Sequence, residues 1–311
     1  MKPELQIRSS TPADRFAVAE LIYTSINVWY GRHGFPPIFR GGPHVTEVFF
    51  DVYQALDPDC CFIAENPRTG QIMGSCFYHP RPEHVSLGIM TVHPNYQGFG
   101  VGGALVKEIT NYTDSRGYKA LRLTQSACNL DSFSLYNRAE FVPRYAYQDM
   151  YLAVPENGLT VKAKGQDRVR PASLDDIPAM IELEREISGI TREVDYRYCI
   201  DNQLGFWNAH VIESPSGRLD GFLISSGHAA VNILGPGVTR DDETAAALLL
   251  TALNCYPGRS PVFLIPVERD RLVRQMYDWG ARNCELHFCQ VRGEFQPFRG
   301  VNLPSFLPET G

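Results

Sequence analysis

The sequence predicts an α+β protein of two similar units, each a mixed, mostly antiparallel sheet flanked by helices. Three observations carry this expectation. The 311 residues are about twice the ~150 of a typical domain, so each half is long enough to bury its own core. The stretch IRSSTPADRFAVAELI (7–22) can be laid over VRPASLDDIPAMIELE (169–184), each reading as a short strand, a Ser/Thr/Asp-rich turn and an amphipathic helix. FIAENPRTGQIMGSCFY (62–78) matches HVIESPSGRLDGFLIS (210–225). In both, an apolar strand ends in Glu65 or Glu213, passes a Pro/Gly turn and returns as a second strand, which is the pattern of a hairpin.

The polar stretch VPENGLTVKAKGQD separates the copies and has few apolar residues to bury. It divides the chain into a first domain at 1–153, a linker at 154–167 and a second domain at 168–311. In the first copy a helix is expected near 12–25, followed by the Gly/Pro-rich loop WYGRHGFPPIFRGGP and a helix near 44–55. An antiparallel meander follows at about 60–65, 71–78 and 84–92. Leu105, Ile109 and Tyr112 then fall at i, i+4 and i+7 with Lys107, Asn111 and Asp114 facing elsewhere, as a half-buried helix requires, and Gly117 is placed to cap it. The strand ALRLTQ, the helix DSFSLYNRAE and the strand RYAYQDMYL close the unit.

Composition excludes several functions. With 44% hydrophobic residues, 21% charged residues and a formal charge of -6, the chain is an ordinary globular protein without the basic footprint of nucleic-acid binding. MKPELQIRSS has no apolar signal region, and no run approaches the ~18 apolar residues of a membrane span, so a cytoplasmic location is expected. Eight cysteines without CxxC spacing read as buried thiols. Cys284, His287 and Cys289 alternate along a strand and lack a complete ligand set, so no metal is expected.

Chemistry concentrates in TVHPNYQGFGVGGALVKEI (91–109), where four glycines stand between a strand and a helix. A strand running through glycines into a helix exposes N–H groups at the helix's positive end, a ready-made anion site. No carboxylate occurs in the first turn before Glu108, so no acidic side chain already occupies that end. A tight strand-to-helix turn with glycines for close packing is the other reading.

QGFGVG (Gln97–Gly102) fits Q/R-x-x-G-x-G/A directly after VHP; downstream, Asn129 opens a helix and Tyr136 precedes Phe141, similar to an N…LYxxxGF ending. In these motifs residues 4–152 resemble the GCN5-related N-acetyltransferases. The loop is neither a Rossmann fingerprint, since its strand belongs to an antiparallel meander, nor a P-loop, since no Gly-Lys-Ser/Thr follows. The resemblance implies that the N–H groups of Gln97, Gly98, Phe99, Gly100, Val101, Gly102 and Gly103 hold the pyrophosphate of acetyl-CoA. Met90, Thr91 and Val92 would pair with the pantetheine arm as a neighbouring strand does. It further implies an N-acetyltransferase whose acceptor is a small-molecule or peptide amine attacking the thioester directly; a noncatalytic acyl-CoA-binding module is the alternative.

By the same resemblance Tyr136 would protonate the departing thiolate, although an ordinary core aromatic would occupy the same position on an amphipathic helix. Asn129 would bond the CoA arm or cap its helix. The base departs from the pattern: many members carry Glu where this chain has Gly88, leaving His84, with Glu83 and His79, as candidates. Glu140 stands where the family usually has glycine. Trp29, Tyr30, Arg32, His33, Phe39 and Arg40 fall where the family builds its acceptor pocket.

Residues 168–292 read as a degenerate second copy: MYDWGA echoes LYxxxGF, but NILGPGVTRDDETAAALLL lacks the glycine loop. Asp241, Asp242 and Glu243 sit in the first turn of its helix, where they satisfy the dipole themselves and repel pyrophosphate, so no CoA is expected there. Support, a share of the acceptor cleft, or a homodimer contact are its expected roles. The tail PFRGVNLPSFLPETG is expected to pack on a surface.

Overall fold

The computed structural model describes residues 3–307 and 309–310. The first half runs β1 (Gln6–Ser9), α1 (Arg15–Arg32), α2 (Glu47–Leu56), β2 (Cys61–Glu65), β3 (Ile72–Pro80), β4 (His84–Val92), α3 (Val101–Ser115), β5 (Ala120–Ser126), α4 (Leu130–Arg138) and β6 (Val142–Tyr151). The second repeats the plan with β7 (Val169–Pro171), α5 (Ile177–Ser188), α6 (Glu193–Asp201), β8 (Trp207–Glu213), β9 (Leu219–Gly227), β10 (Asn232–Thr239), α7 (Asp242–Leu253), β11 (Val262–Pro266), α8 (Asp270–Asp278) and β12 (Arg282–Gly293). Three short strands, β13 (Val301–Leu303), β14 (Ser305–Phe306) and β15 (Glu309–Thr310), end the described chain. The α+β architecture and the mostly antiparallel pairing expected from the sequence are both present.

Local chemistry explains the elements. Leu105 and Ile109 are fully buried on one face of α3, each contributing about 1.5–3 kcal/mol of apolar transfer, and Gly117 follows the helix with a φ of 72°. Helix α1 extends seven residues past the expected end at 25, through Trp29 and Tyr30, because no glycine or proline interrupts it before Gly31. Glu140 sits beyond the end of α4 at a φ of 69°, the left-handed region in which a side chain costs about 1–2 kcal/mol. That strain explains why glycine suits this position. No helix among the described residues is long and apolar enough to cross a membrane.

The sheet runs β1-β2-β3-β4-β5-β12-β6-β11-β10-β9-β8-β7, with β13 on β10. The two halves therefore exchange their closing strands across the division expected at residues 154–167. β12 pairs antiparallel with β5 (His287 opposite Ser126), and β6 pairs antiparallel with β11 (Leu264 opposite Asp149). The exchanged strands also pair with each other at the centre. One core cluster joins α1 and α2 residues such as Val18 and Phe49 to Met180, Tyr196 and Phe222 of the second half, through Tyr147, Cys289 and Val291. Arg81 adds a buried fork to Asp195 of α6 at 2.5 and 2.7 Å. On the opposite face, α3 and α4 cover β2–β5 with a second cluster that includes Leu87, Leu105 and Tyr136.

Candidate active site

β4 and β5 are parallel neighbours only from His84 to Ser86, opposite Ala120 to Arg122. Beyond that point they stop pairing, which opens a gap in the sheet. A bulge on β4 widens the irregularity: Tyr78 faces Leu87 and Cys76 faces Met90, so Gly88 and Ile89 together stand against Phe77. Met90, Thr91 and Val92 follow without a strand paired to them on the β5 side; Thr91 is held by its hydroxyl at 3.1 Å from that of Ser75.

The chain leaves β4 into the glycines. Gly98 and Gly100 have φ of 80° and 88°, and Gly100 is the N-cap of α3, so this turn requires residues without Cβ. The first turn carries no acidic residue, and no side chain caps it, leaving its N–H groups directed outward. Arg32 at the end of α1 donates to the Gln97 side chain at 3.0 Å, tying the expected acceptor segment to this loop. The glycines divide by role: a Cβ on Gly102 would stand 3.2 Å from Leu135 of α4, whereas one on Gly103 meets nothing within 4 Å. Gly102 serves helix packing, and Gly103 leaves the surface open.

Tyr136 is buried on α4 against Phe141, on the α3 side of the sheet. The Asn129 carboxamide oxygen accepts from Ser132 N–H at 3.0 Å, so this side chain does cap α4. On the other face, His79 of β3 is in register with Ser86, which is in register with Arg122. Its Nδ1 is 2.7 Å from Asp57, whose carboxylate also accepts from Arg81 at 2.8 and 3.1 Å. Bonds from His79 and Arg81 hold Asp57 below its ordinary pKa although burial opposes them, so it remains an acceptor and fixes the His79 proton on Nδ1. The Nε2 of His79 is buried, has no hydrogen-bond partner, and lies 2.9 Å from where a Cβ of Gly88 would be. His79 thus fills the space a larger residue at 88 would need.

His84 stands at the closed end of the gap, fully buried, with Nε2 at 3.2 Å from Ser86. Burial, with Arg122, Arg192 and Arg81, holds it well below the ordinary imidazole pKa and therefore neutral. Glu83 is occupied by a bond from Thr191 at 3.0 Å.

The exchanged strand completes this face. Glu285 of β12 accepts from Tyr30 at 2.7 Å and from Ser126 at the end of β5. His287 follows two residues on, 3.4 Å from Asp149 of β6, with the Phe306 ring packed on it at 5.0 Å. Tyr53, whose ring meets His79 at 4.6 Å, donates to the Phe306 carbonyl at 3.0 Å. Asp57, Asp149 and Glu285 belong to no spacing motif. Their only trace in the sequence is the Glu-x-His alternation on a strand whose other positions face a core.

The corresponding region of the second half is filled by its own chain. Beyond Ile233 and Leu234, which pair with β11, Gly237–Thr239 of β10 pair instead with β13. Asp241 caps α7 by accepting from Thr244 N–H at 2.8 Å. The tail therefore does more than pack on a surface: β13 enters the sheet, and β15 lies alongside β4 and β5.

Residues 29–141 match the acetyltransferase (GNAT) family. No curated protein matches the sequence. Among solved structures, an assigned acetyltransferase of Pyrococcus horikoshii superposes with a TM-score of 0.73 at 16% identity over 98% of this chain and 92% of its own. A GCN5-related N-acetyltransferase from Sphaerobacter thermophilus gives 0.64 at 18% identity over 94% and 97%. A tandem GNAT protein from the clavulanic acid biosynthesis pathway gives 0.61 at 13% identity over 93% and 98%. At these identities the likeness is one of fold.

Proposed function

We propose, from the match of residues 29–141 to the acetyltransferase (GNAT) family, a family of acyl-CoA-dependent acyl transfer, that the first half of the chain is an acetyl-CoA-dependent N-acetyltransferase. The observation that carries this is the junction of a β4 edge unpaired beyond Ser86, the resulting gap toward β5, beside which β15 lies, and an uncapped, glycine-lined start of α3. The first-turn N–H groups, from Gly98 to Gly103, bind the pyrophosphate, and Met90–Val92 align the pantetheine so that the thioester enters the gap.

Proton traffic then uses both faces of the sheet. His79 Nε2 takes the proton from the acceptor's ammonium, Asp57 holding the ring in the tautomer that leaves Nε2 free. The neutral amine attacks the carbonyl carbon, the C–S bond breaks and Tyr136 gives its hydroxyl proton to the thiolate; the proton that the new amide nitrogen sheds returns through water to the Tyr136 oxygen, and His79 releases its own to solvent. Asp57 is a positioning residue, and His84, bonded to Ser86 and without a carboxylate partner, is not assigned this role.

Thiol release measured with acetyl-CoA and a panel of primary amines is the direct test. Amine-dependent release supports the transferase; saturable acetyl-CoA binding without release would identify a noncatalytic binding module. A second expected result concerns stoichiometry and the glycine cradle. Calorimetry should find one acetyl-CoA per chain, because the second half's edge and helix start are occupied by Val301–Leu303 and Asp241. Gly103→Asp, which meets no neighbour, should weaken binding about tenfold or more by opposing the phosphate's charge, while Gly103→Ala should bind nearly as wild type. Equal affinity for Gly103→Asp would remove α3 from the phosphate site.

A further inference from the structure

We propose that Asp149, Glu285 and His287 form a cation site that holds a second positively charged group of the acceptor, so that the substrate is a diamine, polyamine or similarly dibasic amine. This rests on the N-acetyltransferase reading and extends it to the substrate class. One ligand atom from each of the three residues can be chosen so that all lie within 4.8 Å of one another, and all three side chains are buried. They arrive on two strands exchanged between the halves, so the site exists only because the halves interlock.

The cluster is short of positive charge. Among the described residues no Lys or Arg pairs with Asp149 or Glu285, and Tyr30 and Ser126 supply Glu285 with neutral donors only. His287 does not compensate, because burial pushes its imidazole down to about 3 and it stays neutral. Its Nδ1 and the Asp149 Oδ1 are buried without hydrogen-bond partners. Such an arrangement opposes folding, since buried acids are stable only when paired. A proton on Asp149 relieves it at low pH, and an external cation does so where both acids are ionised.

The position selects an ammonium group on the acceptor. Tyr30 leads directly into the loop after α1, and Ser126 ends the β5 strand that borders the gap. β5 separates β12 from that gap, so a cation held on β12 and β6 lies roughly one to two strand spacings, about 5–10 Å, from the reacting nitrogen. The group the acids hold is therefore a second one. Phe306, packed on His287, supplies an aromatic wall suited to an organic cation.

Steady-state acetyl transfer to 1,4-diaminobutane and spermidine against n-butylamine tests this. The dibasic amines should have kcat/KM at least ~10-fold higher, and Glu285→Gln and Asp149→Asn should erase the preference through KM while leaving KM for acetyl-CoA unchanged. An undiminished preference in both variants, or n-butylamine used as well as the diamines, would overturn the site. Tight binding of Zn²⁺ or Mn²⁺ by the wild type, lost in the same variants, would overturn the ammonium assignment in favour of a metal. If no amine is acetylated, the transferase reading fails separately, and thermal stabilisation by 1,4-diaminobutane beyond that of sodium chloride at equal ionic strength still decides the cation site.

Folding supplies a control. Burial, with the charge of Glu285, raises the Asp149 carboxyl from 3.8 to about 7; Cys284 opposes the shift, and His287, Tyr30 and Ser126 are the other groups facing this cluster. The folded state then holds this proton more tightly than the unfolded chain, and stability falls as pH rises between those values. Asp149→Asn should therefore melt no lower than wild type at pH 8. A large loss of stability would mark a structural role.

Discussion

Phenylalanine in place of Tyr136 is expected to lower kcat by about 10²-fold or more while the protein folds and binds acetyl-CoA as before. The substitution keeps the ring that packs on Phe141 and removes only the hydroxyl. General acid catalysis contributes typically 10²–10⁴-fold, and water entering where the hydroxyl stood would leave roughly the lower end of that loss. Steady-state kinetics separates the roles. If the hydroxyl protonates the thiolate, kcat falls; if it only positions the cofactor, the KM for acetyl-CoA rises instead. Full activity of Tyr136→Phe at saturating substrates would return Tyr136 to the core.

Legibility in the sequence followed the range of the interactions. The helix that follows the glycines, the cap at Gly117 and the hairpin strands ending at Glu65 and Glu213 are set by a few adjacent residues, and each is where the pattern places it. Strand exchange is not local. β6 and β12 are half-buried strands with the same alternation whether they pair within their own copy or across copies, so periodicity carries no mark of the partner. Every residue that depends on the exchange was hidden for that reason. Glu285 and His287 lie more than 150 residues from Ser126, their neighbour on β5. The role of the tail was hidden likewise, because VNL is a strand only when β10 offers it an edge.

His79 shows how one residue's identity can be read from another's absence. Gly88 in the sequence looks like a lost base; in the structure its missing side chain makes room for the imidazole. If His79 stands in for that base, a reciprocal rescue is expected. His79→Ala should lower kcat by about 10²-fold or more, with Asp57 still paired to Arg81 so that the buried acid is not left alone. Gly88→Glu alone should be poorly folded or inactive, because its Cβ would stand 2.9 Å from Nε2 and 3.1 Å from Phe77. In the double variant the ring is gone and only the milder contacts with Phe77, at 3.1 and 3.3 Å, have to give by a few tenths of an ångström, so activity should return at least ~10-fold above His79→Ala. Melting temperatures for all three identify losses due to folding. Wild-type kcat in His79→Ala would reject the histidine as base. A well-folded double variant no more active than His79→Ala would show that the space beside Gly88 does not face the acceptor amine.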